Sequence, residues 1–100
     1  MLEMKEIKDR KLKDLPELID MIQDESRRQI KKFGLQERTP FEWLAYLHEE
    51  SGEIANAIIT HHYDEGDAEA VVAECVQTAT LALKIAEMYM RFDEDYPEVG

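Results

Sequence analysis

The sequence predicts an all-α protein, a helical bundle of three main helices per chain completed by dimerisation. Helix-start signals stand at Asp14, Thr39 and Asp67, and apolar residues follow them at helical spacings of three and four. No stretch shows the alternation of a half-buried strand. With 100 residues, 44% of them hydrophobic, the chain fits one domain over 1–100 with a single modest core.

Asp14-Leu15-Pro16-Glu17 combines a capping Asp, a proline in the first turn and a Glu three residues after the cap. The first helix should run from there to about Lys32, with Leu15, Leu18, Ile19, Ile22 and Ile30 as its apolar stripe. Phe33-Gly34 ends it, with glycine in the left-handed closing position. Residues 2–13 alternate charges densely and either extend this helix or form a short separate turn. Thr39-Pro40-Phe41-Glu42 is a second start, with Glu42 placed to complete a capping box. A helix from Pro40 to about Tyr63 follows, with Leu44, Leu47, Ser51, Ile54, Ala55 and Ile58 as its main buried face. Gly52 inside it costs about 1 kcal/mol relative to alanine, which predicts a packing reason, a bare backbone for close helix approach. Asp64-Glu65-Gly66-Asp67 reads as a short turn, with Asp67 capping a third helix from Ala68 to about Phe92.

The third helix predicts assembly. Apolar residues from Val71 to Met90 go around most of its circumference, and such a helix is buried nearly all round. Two other helices in one chain of this size scarcely cover it. Glu74, Gln77, Lys84 and Glu87 interrupt the apolar run well short of the roughly 18 residues of a membrane span. A second copy of the chain, packed through the second and third helices, is the simplest cover, so at least a dimer is expected.

Charge excludes other classes. Twelve Lys and Arg against 23 Asp and Glu leave a net charge of −11, poorly suited to nucleic-acid backbones. Residues 1–38 hold ten basic and nine acidic side chains, whereas 39–100 hold two basic residues, Lys84 and Arg91, against 14 acids. The tail over 93–100 supplies part of that excess and reads as a solvated end. Cys75 is the single cysteine and cannot form an intrachain disulfide; the start of the chain has no apolar core like that of a signal peptide, so a cytoplasmic protein is expected.

The remaining acids carry the chemistry. Tyr46, Glu50, Glu53 and Ala57 form one stripe of the second helix, with the two carboxylates one above the other. Beside a packed face, such like charges favour a divalent cation with a preference for oxygen ligands. On the third helix Glu74, Gln77, Leu81, Lys84 and Met88 make a matching stripe. Antiparallel packing with the stripes facing would gather Glu50, Glu53, Glu74 and Gln77 into one oxygen-rich pocket. The alternative is that Glu74, Gln77, Lys84 and Glu87 form a solvated face of the third helix, with Glu50 and Glu53 solvated on the second.

The run Glu49-Glu50-Ser51-Gly52-Glu53, followed about twenty residues later by Glu74-Cys75-Val76-Gln77, resembles the E-E-x-x-E and E-x-x-D pair of the MazG-like all-α nucleotide pyrophosphohydrolases. Arg38-Thr39-Pro40, Trp43-Leu44, the string from Glu53 to Ile58 and the segment Val76-Gln77-Thr78-Ala79 extend the resemblance over roughly residues 33–92. It implies a helical dimer or larger assembly that uses Mg²⁺, with Mn²⁺ as a substitute, to hydrolyse nucleoside triphosphates to monophosphate and pyrophosphate. Position by position, it implies Glu50, Glu53 and Glu74 as metal ligands. Gln77 stands where the family has Asp, offering a carbonyl oxygen without the negative charge. Glu49 matches the leading Glu and is the candidate base for the attacking water. Lys84 and Tyr46 are candidate substrate contacts, Lys84 being otherwise a surface lysine; Lys31, Lys32 and Arg38 are further phosphate candidates without a place.

Other features read as structure. His48-Glu49-Glu50-Ser51-Gly52 has Gly52 where a zinc helix needs its second histidine. His61-His62, near Asp64 and Glu65, suits helix-end carbonyls better than a transition metal. Cys75, among apolar neighbours, is expected to be buried, and Trp43 to fill the core. Two functions follow: a Mg²⁺-dependent nucleotide pyrophosphohydrolase, or a catalytically silent helical dimer of the same kind that binds a nucleotide or a protein partner. Gln77 separates them.

Overall fold

A computed structural model of the chain describes residues 11–91. Both the amino-terminal segment to residue 10 and the acidic tail from residue 92 lie outside the described residues. Within them the fold is all-helical: α1 spans Leu15–Phe33, α2 Pro40–Tyr63 and α3 Ala68–Met90, with no strand. None of these helices is long and apolar enough to cross a membrane.

Local chemistry sets the helix limits. At α2, the Glu42 amide donates to Thr39 Oγ1 at 3.2 Å and the Thr39 amide to Glu42 Oε1 at 3.1 Å, the full capping box. At α3, Asp67 accepts from the Glu69 amide at 3.0 Å. Asp14 differs from expectation: its side chain makes no capping bond, and its carbonyl begins the ladder by accepting from the Leu18 amide at 3.0 Å. Pro16 in the first turn lacks an amide proton, so one donor needs no cap. Gly34 closes α1 through a 2.7 Å bond from its amide to the Ile30 carbonyl, at φ 75° and ψ −175°, a conformation essentially reserved to glycine.

The four-residue turn folds α2 and α3 into an antiparallel hairpin. Thr60 O accepts from the amides of Asp64 and Gly66 at 2.9 and 3.0 Å, and a Cβ on Gly66 would meet Thr60 Cγ2 at 2.7 Å. His61 Nδ1 lies 2.6 Å from the Gly66 carbonyl, so this histidine ties the turn as a helix-end group.

Helix α3 is central, packing on α2 along one side and on α1 along another, whereas α1 and α2 do not pack on each other. The buried core is thin: Val76 and Leu81, with Thr80 returning its hydroxyl to the Val76 carbonyl at 2.7 Å. The covered face of α2 is Trp43, Leu47, Glu50, Ile54, Ala57 and His61, turned from the expected one, so that Leu44 and Ile58 remain 45% and 43% exposed. This rotation places Glu50 in the middle of the packed face. On α1 the covered stripe is Leu18, Met21, Ile22, Glu25, Ser26 and Gln29, leaving Ile19 and Ile30 open.

Three further expectations change. Cys75 is exposed, because it lies on the side of α3 that neither α1 nor α2 covers. Gly52 is exposed, and a Cβ there would meet nothing within 4 Å among the described residues, so no close approach of α1 or α3 explains it. Trp43 is half-buried at a groove wall and does not fill the core.

Candidate functional site

The two acidic stripes meet at Glu50 and Glu74. Oε2 of each is shut off from solvent, and neither atom has a hydrogen-bond partner. Burial pushes the Glu50 carboxyl above its ordinary range, and the Glu74 carboxyl against it adds to the shift, with the charges of Glu53 and Glu25 behind. Two facing carboxyls with orphaned oxygens have two ways to relieve their repulsion: retain a proton or take up a cation.

The other expected ligands are placed less closely. Glu53 is exposed at the rim of the pair, and Glu49 is exposed one helical turn before it. Gln77 is half-buried and lines a hollow of about 320 Å³ between α1 and α3, with Glu25, Arg28 and Val76. Among the described residues, no group of three or more His, Cys, Asp or Glu is drawn together as a metal site. What this region offers a hard cation is two buried carboxylate oxygens without partners, with the exposed Glu53 carboxylate one helical turn from Glu50; the Gln77 amide lines the α1–α3 hollow instead. The solvated alternative does not describe this arrangement, since Glu50, Glu74, Gln77 and Lys84 are all at least partly covered and only Glu53 and Glu87 are exposed.

Glu25 joins this region from α1, where sequence reading overlooked it. Its side chain is only 11% exposed and is held by Arg28 through 2.9 and 2.8 Å bonds and by Gln29 at 2.7 Å. The Arg28 bond holds its carboxyl below the usual range, against the opposing effect of burial. A signal was present in the chain: the covered stripe continues from Leu18 and Ile22 into Glu25 and Gln29, where a purely structural helix would remain apolar.

Lys84 is half-buried, so it is not an ordinary surface lysine. Its Nζ donates to Gln29 Oε1 at 2.5 Å and stands 5.2 Å from the Trp43 ring centre. Burial lowers its pKa, with Glu25 acting in the opposite sense. Tyr46 is exposed beneath the Arg38 guanidinium at 4.8 Å, and Lys31 and Lys32 are exposed, Lys32 lying 5.1 Å from the Phe33 ring centre. Comparison with protein-family models, curated proteins and solved structures returned no match.

Proposed function

We propose that this chain is a Mg²⁺-dependent nucleotide pyrophosphohydrolase that cleaves a nucleoside triphosphate to the monophosphate and pyrophosphate, in the manner of the MazG-like enzymes its sequence resembles. The carrying observation is the pair of orphaned oxygens on Glu50 and Glu74, pressed together from two helices. Structural economy alone does not favour such a pair, because apolar side chains would pack there without a desolvation cost.

In this reading Glu50, Glu53 and Glu74 hold the cation, with the Gln77 carbonyl oxygen completing the set. Bound Mg²⁺ supplies neutralisation of the phosphates and stabilisation of charge developing at the α-phosphorus. Glu53, exposed at the rim, faces incoming phosphate. Glu49, exposed one turn from Glu53, would take the proton of an attacking water. Arg28 and Gln29 hold Glu25, which keeps a further negative charge near the pair and strengthens its demand for a cation.

The proposal includes at least a dimer in the cytoplasm. It is supported by large apolar side chains left open on the hairpin, among them Ile59 of α2 and Val72, Leu83 and Met90 of α3, which are 41–83% exposed.

The test is hydrolysis of a panel of common and modified nucleoside triphosphates with Mg²⁺ or Mn²⁺, following monophosphate and pyrophosphate, beside a Glu50→Gln control. Pyrophosphate release by the wild type and its loss in the control are expected. A folded dimer silent across the panel would overturn the hydrolase and leave the nucleotide-binding or partner-binding reading; Gln77→Asp would then be the first substitution.

A further inference from the structure

Only two of the twelve basic residues lie beyond position 39, Lys84 and Arg91. Both line the same groove, a space of about 550 Å³ bounded by α1, α3, the α1–α2 connection and the start of α2. Arg28 and Arg38 line it too, and Glu87 is its one acidic lining residue among those described. In a chain with net charge −11, Arg28 is neutralised by Glu25, and Lys84, Arg38 and Arg91 against Glu87 still leave the described lining locally positive.

Aromatic rings and a neutral amide hold two of these cations. The Arg38 guanidinium stands 4.8 Å from the Tyr46 ring centre and 5.8 Å from that of Trp43, and Lys84 Nζ stands 5.2 Å from Trp43 on another approach. Lys84 also donates to Gln29, and among the described residues no carboxylate lies within 4 Å of its ammonium. Arg38 has a loose 3.7 Å pair with Glu42. A half-buried ammonium beside an open groove, held by a ring face and a carbonyl oxygen with the Glu25 charge at longer range, retains its capacity to bind an anion. Phe33, Leu35 and Met88 add an apolar wall suited to a planar ring.

We infer that this groove seats the nucleotide, recognising its phosphates through Lys84 and Arg38 without a metal and taking its base against Phe33 and Met88. Tyr46 on the groove wall is one helical turn from Glu50, which does not itself line the groove, so in this inference phosphates anchored at Lys84 extend past Tyr46 to meet the carboxylate pair. The choice of a nucleotide over another aromatic anion rests on the proposed hydrolase; the anion-binding surface rests on the groove alone.

Trp43 is the single tryptophan and forms part of the wall, so its fluorescence reports occupancy. The experiment titrates the full chain in EDTA at low ionic strength with inorganic tripolyphosphate, ATP, dUTP, adenosine and sulfate, and repeats the series by calorimetry. Saturable binding of the nucleotides is expected, with tripolyphosphate weaker for want of a base and adenosine and sulfate weaker still. Lys84→Gln should weaken nucleotide binding by about tenfold or more, and Arg91→Gln, outside the helical packing, by a smaller factor. Added salt should weaken it further. No saturable binding of any nucleotide by either method overturns the inference. So does equal affinity for sulfate and ATP, or unchanged affinity in a Lys84→Gln protein with wild-type helicity. Glu50→Gln separates the two claims, since it should abolish pyrophosphate release while retaining metal-free binding. Hydrolysis by the wild type without metal-free binding overturns the groove and leaves the hydrolase; metal-free binding without hydrolysis does the reverse.

Discussion

Glu50 shows how one rotation of a helix changes a residue's chemistry. On a solvated face it would be one of many surface carboxylates; on the packed face of α2 its Oε2 is buried without a partner. Its folded-state pKa lies above the ordinary glutamate value, chiefly through burial, so the folded chain holds this proton more tightly than the unfolded chain. Its contribution to stability is then fully present below about pH 4.5 and is lost as pH rises through the folded pKa. In metal-free buffer, the Glu50→Gln protein should lose less stability than the wild type over that rise, as measured by urea unfolding at a series of pH values. Parallel curves for the two proteins would refute it. Glu25 acts with the opposite sign: its lowered pKa contributes stability above about pH 4.5 that is lost on acidification. Its neighbours explain why it escaped notice in the sequence. Arg28 and Gln29 make it look like a local helix pair, and only packing against α3 covers the Glu25 carboxyl while Arg28 stays exposed.

At the scale of the elements, the helix ends were legible because their causes span three or four residues. Thr39 and Glu42 form their reciprocal bonds as the spacing requires, and Gly34 takes the positive φ its place demands. Gly34→Ala should therefore cost about 1–3 kcal/mol in chemical denaturation, through backbone strain alone, since the space around it is open. Gly52 has the reverse expectation. Helical, exposed and without neighbours within 4 Å, it should accept alanine with a gain of up to about 1 kcal/mol. A loss on the same measurement would place Gly52 against another copy of the chain. The face that α2 buries was not legible in the same way, because Leu44, Leu47, Ile54 and Ile58 offer adjoining apolar sectors. Periodicity finds such sectors without selecting the one that meets α3.

The described fold is an α2–α3 hairpin with α1 laid along a second side of α3, and its buried core is small for its apolar content. Val72 and Leu83 remain 41% and 50% exposed on the central helix of the described fold. If two copies cover these residues, Leu83→Glu should convert the protein to a monomer in sedimentation equilibrium, since a buried carboxylate there has no partner. An unchanged mass in a folded variant would exclude Leu83 from the interface. The caps at Thr39 and Asp67, the turn and the helix lengths were already decided along the chain, as were the stripes that carry Glu50 with Glu53 and Glu74 with Gln77, for each depends on groups a few residues apart. Which sectors face inward was decided only by the packing of three helices. That choice brought Glu25 and Lys84 inside, left Cys75 outside, and gathered Lys84, Arg91, Arg28 and Arg38 around one groove. The physical reason is one of range: capping and helical spacing act through short covalent separations, whereas desolvation and charge depend on atoms that are neighbours in space and distant along the chain.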